Sequence, residues 1–364
     1  MSIEKAINKF IEITKSDVFV KYEKDFARMI TSALSERYKN NPDERKIVKD
    51  IENIINNYKK LEDVESVPYF KLSTNAIFIH GYPSNSGVEF DYYGKNTPKE
   101  LGDLIFIISV IFNNQKYFEK FTVTQFKRDE ISNRTISWKI DKEQIYLLSR
   151  FPTFKGVKGS LVPQKDFNLS NYSGCLGSYG LLYRPGDFAY VGATRLDTYL
   201  NGSVKINGND LFMLCEEKDM IEGSDCPYLW SECINLVDIY RYFCNINCGV
   251  CNRFLPKNVL GNSHSSGNVF DFVDKYLRLC IGEPIIMKIG RKNTSAKNFL
   301  YELLSVINIK AKKENMTDIL SFCDTFFKNQ SLDDTDKGGS INDNTFDFNV
   351  GGIRIIHTVI NLGE

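Results

Sequence analysis

Glu100-Leu101-Gly102-Asp103-Leu104-Ile105-Phe106-Ile107-Ile108 is followed, across a polar stretch, by Thr122-Val123-Thr124-Gln125-Phe126-Lys127-Arg128. Residues 104 to 112 run almost unbroken in Leu, Ile, Phe and Val between Gly102 and Asn113-Asn114, which reads as a strand buried on both faces. Asp103 stands at the mouth of that strand. In the second stretch successive side chains take opposite faces, so Val123, Gln125 and Lys127 share one face and Thr124, Phe126 and Arg128 the other. If the polar segment from Asn113 to Lys120 closes an antiparallel hairpin, the open end of the pair brings Asp103 near Gln125 and Lys127.

Those three groups have the chemistry that a phosphodiester-hydrolysing centre would need. A divalent cation polarises a phosphoryl oxygen and lowers the pKa of the attacking water, and hard cations such as Mg2+ or Mn2+ take oxygen ligands. Asp103 would supply a carboxylate and Gln125 a neutral amide oxygen. Lys127 would orient the water or stabilise charge building on the phosphate, and Glu100 could hold a second cation or a bridging water. An Asp at a strand mouth and a Gln-x-Lys on a strand face also occur without any activity. The order of elements sets this pair apart: apolar strand, polar turn, second strand, then a helix.

The Asp103 strand followed by Gln125-Phe126-Lys127-Arg128 resembles the PD-(D/E)xK nuclease superfamily, in the variant with glutamine before the lysine, as in Mrr-like restriction enzymes. The resemblance covers about residues 75 to 155. It implies an α/β (α+β), restriction-endonuclease-like fold with a mixed central sheet flanked by helices, here with a helical C-terminal extension. It matches Asp103 to the metal-binding aspartate, Gln125 to the position of the Asp or Glu, and Lys127 to the lysine. The family often adds a Glu from the helix before the first strand, for which Glu23 and Glu36 both stand open. Glutamine leaves one charge fewer for the metal. The function implied is a divalent-cation-dependent endonuclease acting on DNA, in restriction or antiviral defence. The alternatives are a catalytically silent relative that binds nucleic acid, and an interaction subunit whose C-terminal region docks a protein partner or a second copy.

The chain has 364 residues, 42% hydrophobic and 13% aromatic, the composition of a folded globular protein. Its size leaves open a core over residues 1–225 with a mainly helical region over 226–364, or one elaborated domain. A formal net charge of +0 gives no global pull toward nucleic acid, so a nuclease needs a local basic patch. From Asn113 to Lys165 eleven Lys or Arg stand against five acids. Within that excess Lys116, Lys120, Arg128 and Arg134 are the candidate phosphate contacts, since such contacts dominate affinity. The structural counterpart is a strand edge guarded by lysines.

Met1-Ser2-Ile3-Glu4-Lys5 leads into an amphipathic helix and no stretch has the apolar length of a membrane span, so a cytoplasmic protein is expected. Nine cysteines then read as free thiols. Cys244, Cys248 and Cys251 carry a zinc-knuckle spacing with Cys226 and Cys233 upstream, but a second close pair is missing, so structural Zn2+ stands behind buried thiols. With three histidines, His80, His264 and His357, hydrolysis through a serine or cysteine nucleophile has few bases. No phosphate-binding Gly-rich loop is present.

The helical spacing predicts one helix over residues 4–38 and a second started by Asn41, Pro42 and Glu44, close to a capping box. Strands are expected at Ala76–His80 and Val88–Tyr93. A helix is expected over Trp138–Phe151, with Gln144 turned toward the site or toward solvent. Short strands follow to Asp225, in which Tyr172, Tyr179 and Tyr183 pack against neighbours. Helices at Tyr228–Phe243, Val269–Ile281, Lys297–Ile309 and Met316–Phe327 precede a polar loop at Gln330–Asn344. A closing strand at Ile353–Ile360 completes the chain.

Overall fold

The computed structural model describes residues 2–40, 44–58, 60–64, 67–80, 87–132, 135–171, 173–215, 263–287, 292–328 and 352–364. The chain opens with helices α1 (Ser2–Lys15), α2 (Asp17–Lys39) and α3 (Glu44–Asn57). The expected single helix over 4–38 is broken at Ser16, whose hydroxyl accepts the Phe19 N–H and starts α2 afresh. A serine N-cap contributes about 1 kcal/mol at such a junction. Strands β1 (Leu61–Val64), β2 (Val67–His80), β3 (Val88–Tyr92), β4 (Lys95–Lys99), β5 (Leu104–Phe112), β6 (Gln115–Arg128), β7 (Glu130–Ser132) and β8 (Thr135–Lys139) follow. After α4 (Lys142–Arg150) come β9 (Phe154–Gly156), β10 (Gly177–Tyr183), β11 (Asp187–Gly192), α5 (Ala193–Leu200), β12 (Lys205–Asn207) and α6 (Gly208–Cys215). The last part holds β13 (Ser265–Ser266), α7 (Val269–Leu277), β14 (Glu283–Met287), α8 (Thr294–Lys313), α9 (Thr317–Phe327) and β15 (Gly352–Asn361). The segments expected as a helix at Tyr228–Phe243 and a loop at Gln330–Asn344 lie outside the described residues.

The hairpin is tighter than the sequence suggests. β5 and β6 pair antiparallel from Leu104 opposite Thr124 to Phe112 opposite Gln115. The turn between them is Asn113-Asn114 alone, at φ 49 and 57. Two left-handed residues match the twist of a two-residue hairpin, and asparagine tolerates that conformation. Gln115 to Lys120, expected in the turn, therefore lengthen β6. The expected helix from Trp138 also starts late. Trp138 lies in β8 with its indole N–H on the Leu182 carbonyl, and Asp141 caps α4 by accepting the Gln144 N–H.

The described strands form a central mixed sheet flanked by helices, in the order β1-β2-β15-β5-β6-β10-β11-β13, with β14 on the first half of the β6 edge that β10 occupies in its second half. β15 lies between β2, antiparallel, and β5, parallel. β15 thus lies between two strands from the first third of the chain. Because β5 is apolar on both sides, it feeds two cores. Leu104, Phe106, Ile108 and Val110 meet α1, α2, α3 and α7 through Phe10, Phe26, Ile51 and Phe272. Ile105 and Ile107 meet α4, α8 and α9 through Leu147, Leu303 and Phe322. No helix among the described residues is long and apolar enough to cross a membrane.

Candidate functional site

The hairpin register sets the geometry at its open end. Leu104 lies opposite Thr124, so Asp103, one residue earlier, comes level with Gln125 and Phe126. Its backbone N–H donates to the Thr124 carbonyl at 3.0 Å. Its Oδ2 accepts two bonds, from Gln125 Nε2 at 2.5 Å and from the Phe126 N–H at 2.7 Å. Lys127 follows two residues after Gln125, and its charge favours the ionised form of Asp103. The structure therefore brings Asp103, Gln125 and Lys127 together.

A fourth member comes from the helical layer. Lys127 Nζ lies 3.5 Å from Glu44 Oε1, and Glu44 Oε2 accepts the Arg128 N–H at 3.0 Å. Neither glutamate left open by the sequence takes this place. Glu23 accepts from Arg278 at 2.8 Å, against α7, and Glu36 pairs with Lys39 on the surface. The capping-box spacing gave Glu44 a purely local role. The usable signal was an acid in the first turn of the helix that precedes the sheet.

Glu100 stands half-buried at the rim, where its charge opposes ionisation of Asp103. Its segment is held by Gln144, whose Nε2 donates to the Glu100 carbonyl at 3.0 Å. Arg354 completes the surround. It pairs in register with Leu104, its guanidinium lies 4.2 Å from the centre of the Phe78 ring, and its Nε is 3.2 Å from Glu52. Its charge favours ionised Asp103. No local pattern marks it, because the pairing of β15 with β5 joins segments far apart in the sequence.

Burial is the main force on both carboxyls and pushes each up from its ordinary range. Lys127 opposes this at Asp103, and Glu100 adds to it. At Glu44, Lys127 again opposes and the charge of Asp103 adds. Two half-buried carboxylates thus share one nearby ammonium, a negative field that a hard cation with oxygen ligands would relieve. Gln125 presents the N–H side of its amide to Asp103. Rotation about its last torsion exchanges N–H for oxygen, so the donor set fits Mg2+ or Mn2+ once the amide turns. Among the described residues no three His, Cys, Asp or Glu side chains are already gathered as a metal cluster.

The expected phosphate contacts need correction. Lys116 and Lys120 are 1% and 2% exposed, because the short Asn113-Asn114 turn draws them into β6 and the sheet interior. Lys116 pairs with Glu119 at 2.5 Å and lies 3.8 Å from the centre of the Phe326 ring. Lys120 has the buried Glu283 as a charge neighbour. The half-buried Arg128 serves Asp129, favouring its ionised form. Arg134, Tyr172, the His80 side chain and Cys226, Cys233, Cys244, Cys248 and Cys251 lie outside the described residues. Cys175, Cys215, Cys280 and Cys323 are free thiols, and all but Cys215 are buried. Tyr179 is fully buried beside Gln125 in register, and the Tyr183 hydroxyl donates to the Gly267 carbonyl.

No family model, curated protein or solved structure matches this chain.

Proposed function

We propose that Asp103, Gln125, Lys127 and Glu44 form the centre of a divalent-cation-dependent endonuclease of the PD-(D/E)xK kind, on a restriction-endonuclease-like sheet, with DNA as substrate. The observation that carries this reading is the contact of Asp103 with Gln125 at the open end of the β5–β6 hairpin, with Lys127 two residues on and paired with Glu44. The α4 crossover and a β10 strand parallel to β6 support it. A role in restriction or defence rests on the resemblance alone.

Bound Mg2+ or Mn2+ would polarise the phosphoryl oxygen and acidify the attacking water; Asp103 and the Gln125 oxygen would hold it. Lys127 neutralises charge developing on the phosphoryl oxygens, as an ammonium does at a transition state richer in negative charge than its ground state. The raised carboxyl of Glu44 is placed to accept a proton from water nearer neutral pH than an exposed glutamate would. Gln144 fixes the Glu100 segment and so the rim of the site.

The test is incubation of the full chain with duplex DNA, single-stranded DNA and RNA, with Mg2+ or Mn2+ and then with chelator. Chelator-sensitive cleavage, lost in Asp103→Ala and in Lys127→Ala, is the expected result. Cleavage that survives in the double variant removes the assignment. The Gln125–Asp103 bond also favours a second reading, a silent nucleic-acid binder, because it satisfies Asp103 without an ion. That reading requires salt-dependent binding with no cleavage in any metal.

A further inference from the structure

A surface strip beside the centre has no part in the chemistry above. The β3–β4 hairpin turns on Tyr93-Gly94, at φ 50 and 84. Such a turn selects Asn, Asp or Gly at its first position, and a bulky ring with positive φ is uncommon. Tyr93 is also 75% exposed, so burial does not account for it. Its ring lies 5.5 Å from Tyr146 and 4.8 Å from Tyr92, centre to centre. Tyr146 and Tyr92 are partly buried against the core below. The cluster is thus anchored underneath and open above.

Charge follows the same line. Lys142, Tyr146 and Arg150 recur every four residues along α4 and so share one face. The Arg150 guanidinium lies 5.1 Å from the centre of the Tyr146 ring. Lys142 and Lys95, both exposed, have no ion pair among the described residues. The local acids are engaged elsewhere: Asp141 and Glu143 hold Lys99, and Asp91 caps the Gly94 N–H. Asp197 stands 3.7 Å from Arg150, a loose pair that a phosphate can replace. Lys142 to Arg150 spans about 12 Å along the helix axis, close to three or four phosphates of a stacked strand at about 3.4 Å each. The first turn of α4 reaches the Asp103 centre through Gln144 and the Glu100 carbonyl.

We infer that Tyr93 and the Lys142–Tyr146–Arg150 face seat an unpaired stretch of nucleic acid leading to the Asp103 centre, with a base stacked on Tyr93 and phosphates on the flanking cations. The choice of occupant rests on the phosphodiesterase reading of that centre. A projecting ring at a hairpin tip meets the face of an unpaired base, whereas bases within a duplex already cover each other. Aromatic stacking with a basic track is the general mode of single-strand binding. Substrate entering here is single-stranded or locally opened.

The test uses the full chain in chelator, so that nothing is cut, titrated with oligodeoxynucleotides and oligoribonucleotides containing 2-aminopurine, whose emission reports base stacking, and with the matching duplex. The expected result is tighter binding of single strands than of duplex. Tyr93→Ala should weaken single-strand affinity on the order of tenfold and Tyr93→Trp restore it. Lys142→Gln and Arg150→Gln should each reduce the slope of log affinity against log salt by about 0.7. The DNA and RNA arms identify which strand is seated. Equal single-strand affinity of Tyr93→Ala and wild type overturns the inference even if Asp103-dependent cleavage is found. Tyr93-dependent stacking without cleavage in any metal keeps the strip and removes the hydrolytic reading.

Discussion

Lys127 Nζ lies 3.5 Å from Glu44 Oε1, so the first turn of α3 is joined to the end of β6 at the lysine that the proposed reaction sets against a phosphate. Glu44 also accepts the Arg128 N–H, which fixes its carboxylate. In Glu44→Gln the amide oxygen can still take that backbone bond, while the charge that pairs with Lys127 is gone. Cleavage by the variant is expected to fall by about 100-fold or more, the scale of a lost general base, with the folded state retained. Turnover in Mn2+ alongside thermal unfolding checks this. Unchanged turnover would reduce Glu44 to a tether between α3 and β6.

Gln125 decides how the centre behaves without a cation. Its N–H bond to Asp103 is charge-assisted, a class that contributes about 1.5–3 kcal/mol. Gln125→Glu replaces that bond with a second carboxylate at the same place. In chelator the variant should unfold at lower temperature than wild type, and Mg2+ or Mn2+ should recover more stability for the variant than for wild type. A melting point indifferent to both the substitution and the metal would mean that Gln125 does not face an ion site.

The parts of this centre that local pattern reveals are those within one hairpin. Alternation in residues 122 to 128 placed Gln125 and Lys127 on one face, and the apolar run after Asp103 placed the acid at the strand mouth. The turn is shorter than its sequence suggests, because a polar stretch from Asn113 to Lys120 looks alike whether it loops or continues as strand. Only the positive φ of Asn113 and Asn114 decides it, and Lys116 and Lys120 are buried as a consequence. Glu44 and Arg354 were not legible, because each reaches the site through packing between distant segments. β15 was readable as a strand from its β-branched residues, but its place between β2 and β5 was not.

The raised carboxyls fix the sign of a pH dependence. In the unfolded chain Asp and Glu titrate near about 3.9 and 4.3, whereas burial carries Asp103 and Glu44 to about 6 in the folded protein. Between those values the folded state binds more protons, so their contribution to stability is fully present below the unfolded values and is lost as pH rises through about 6. Urea unfolding in chelator at steps across this window should show wild type losing more stability than an Asp103→Asn, Glu44→Gln double variant. Taking the difference removes titrations elsewhere, such as Glu23, which burial also raises. Saturating divalent cation should shrink the difference, since it stabilises the ionised forms. Parallel curves for the two proteins would contradict the assignment of these half-buried carboxyls as opposed in their ionisation by desolvation.

Lys116 and Glu119 form the strongest case for a purely structural use of the local lysine excess. The pair is buried on β6, with Ser109 donating to Glu119 Oε2 at 2.6 Å and Tyr301 donating to Oε1 at 3.0 Å. His357 shares Ser109 through Nε2 at 2.9 Å and is held neutral by burial and by the charge of Lys116. Lys116→Met removes the only ammonium paired with Glu119 among the described residues and leaves its carboxylate desolvated, a change that costs about 3–5 kcal/mol. Adding Glu119→Gln removes the stranded charge while its amide can still bond Ser109 and Tyr301. The double variant should therefore recover most of the loss, a coupling read directly from urea unfolding of the wild type, both single variants and the double. Nucleic-acid affinity of the folded double variant should match wild type, because neither side chain reaches the surface. Weakened binding with unchanged stability would instead return Lys116 to the phosphate contacts that the sequence suggested.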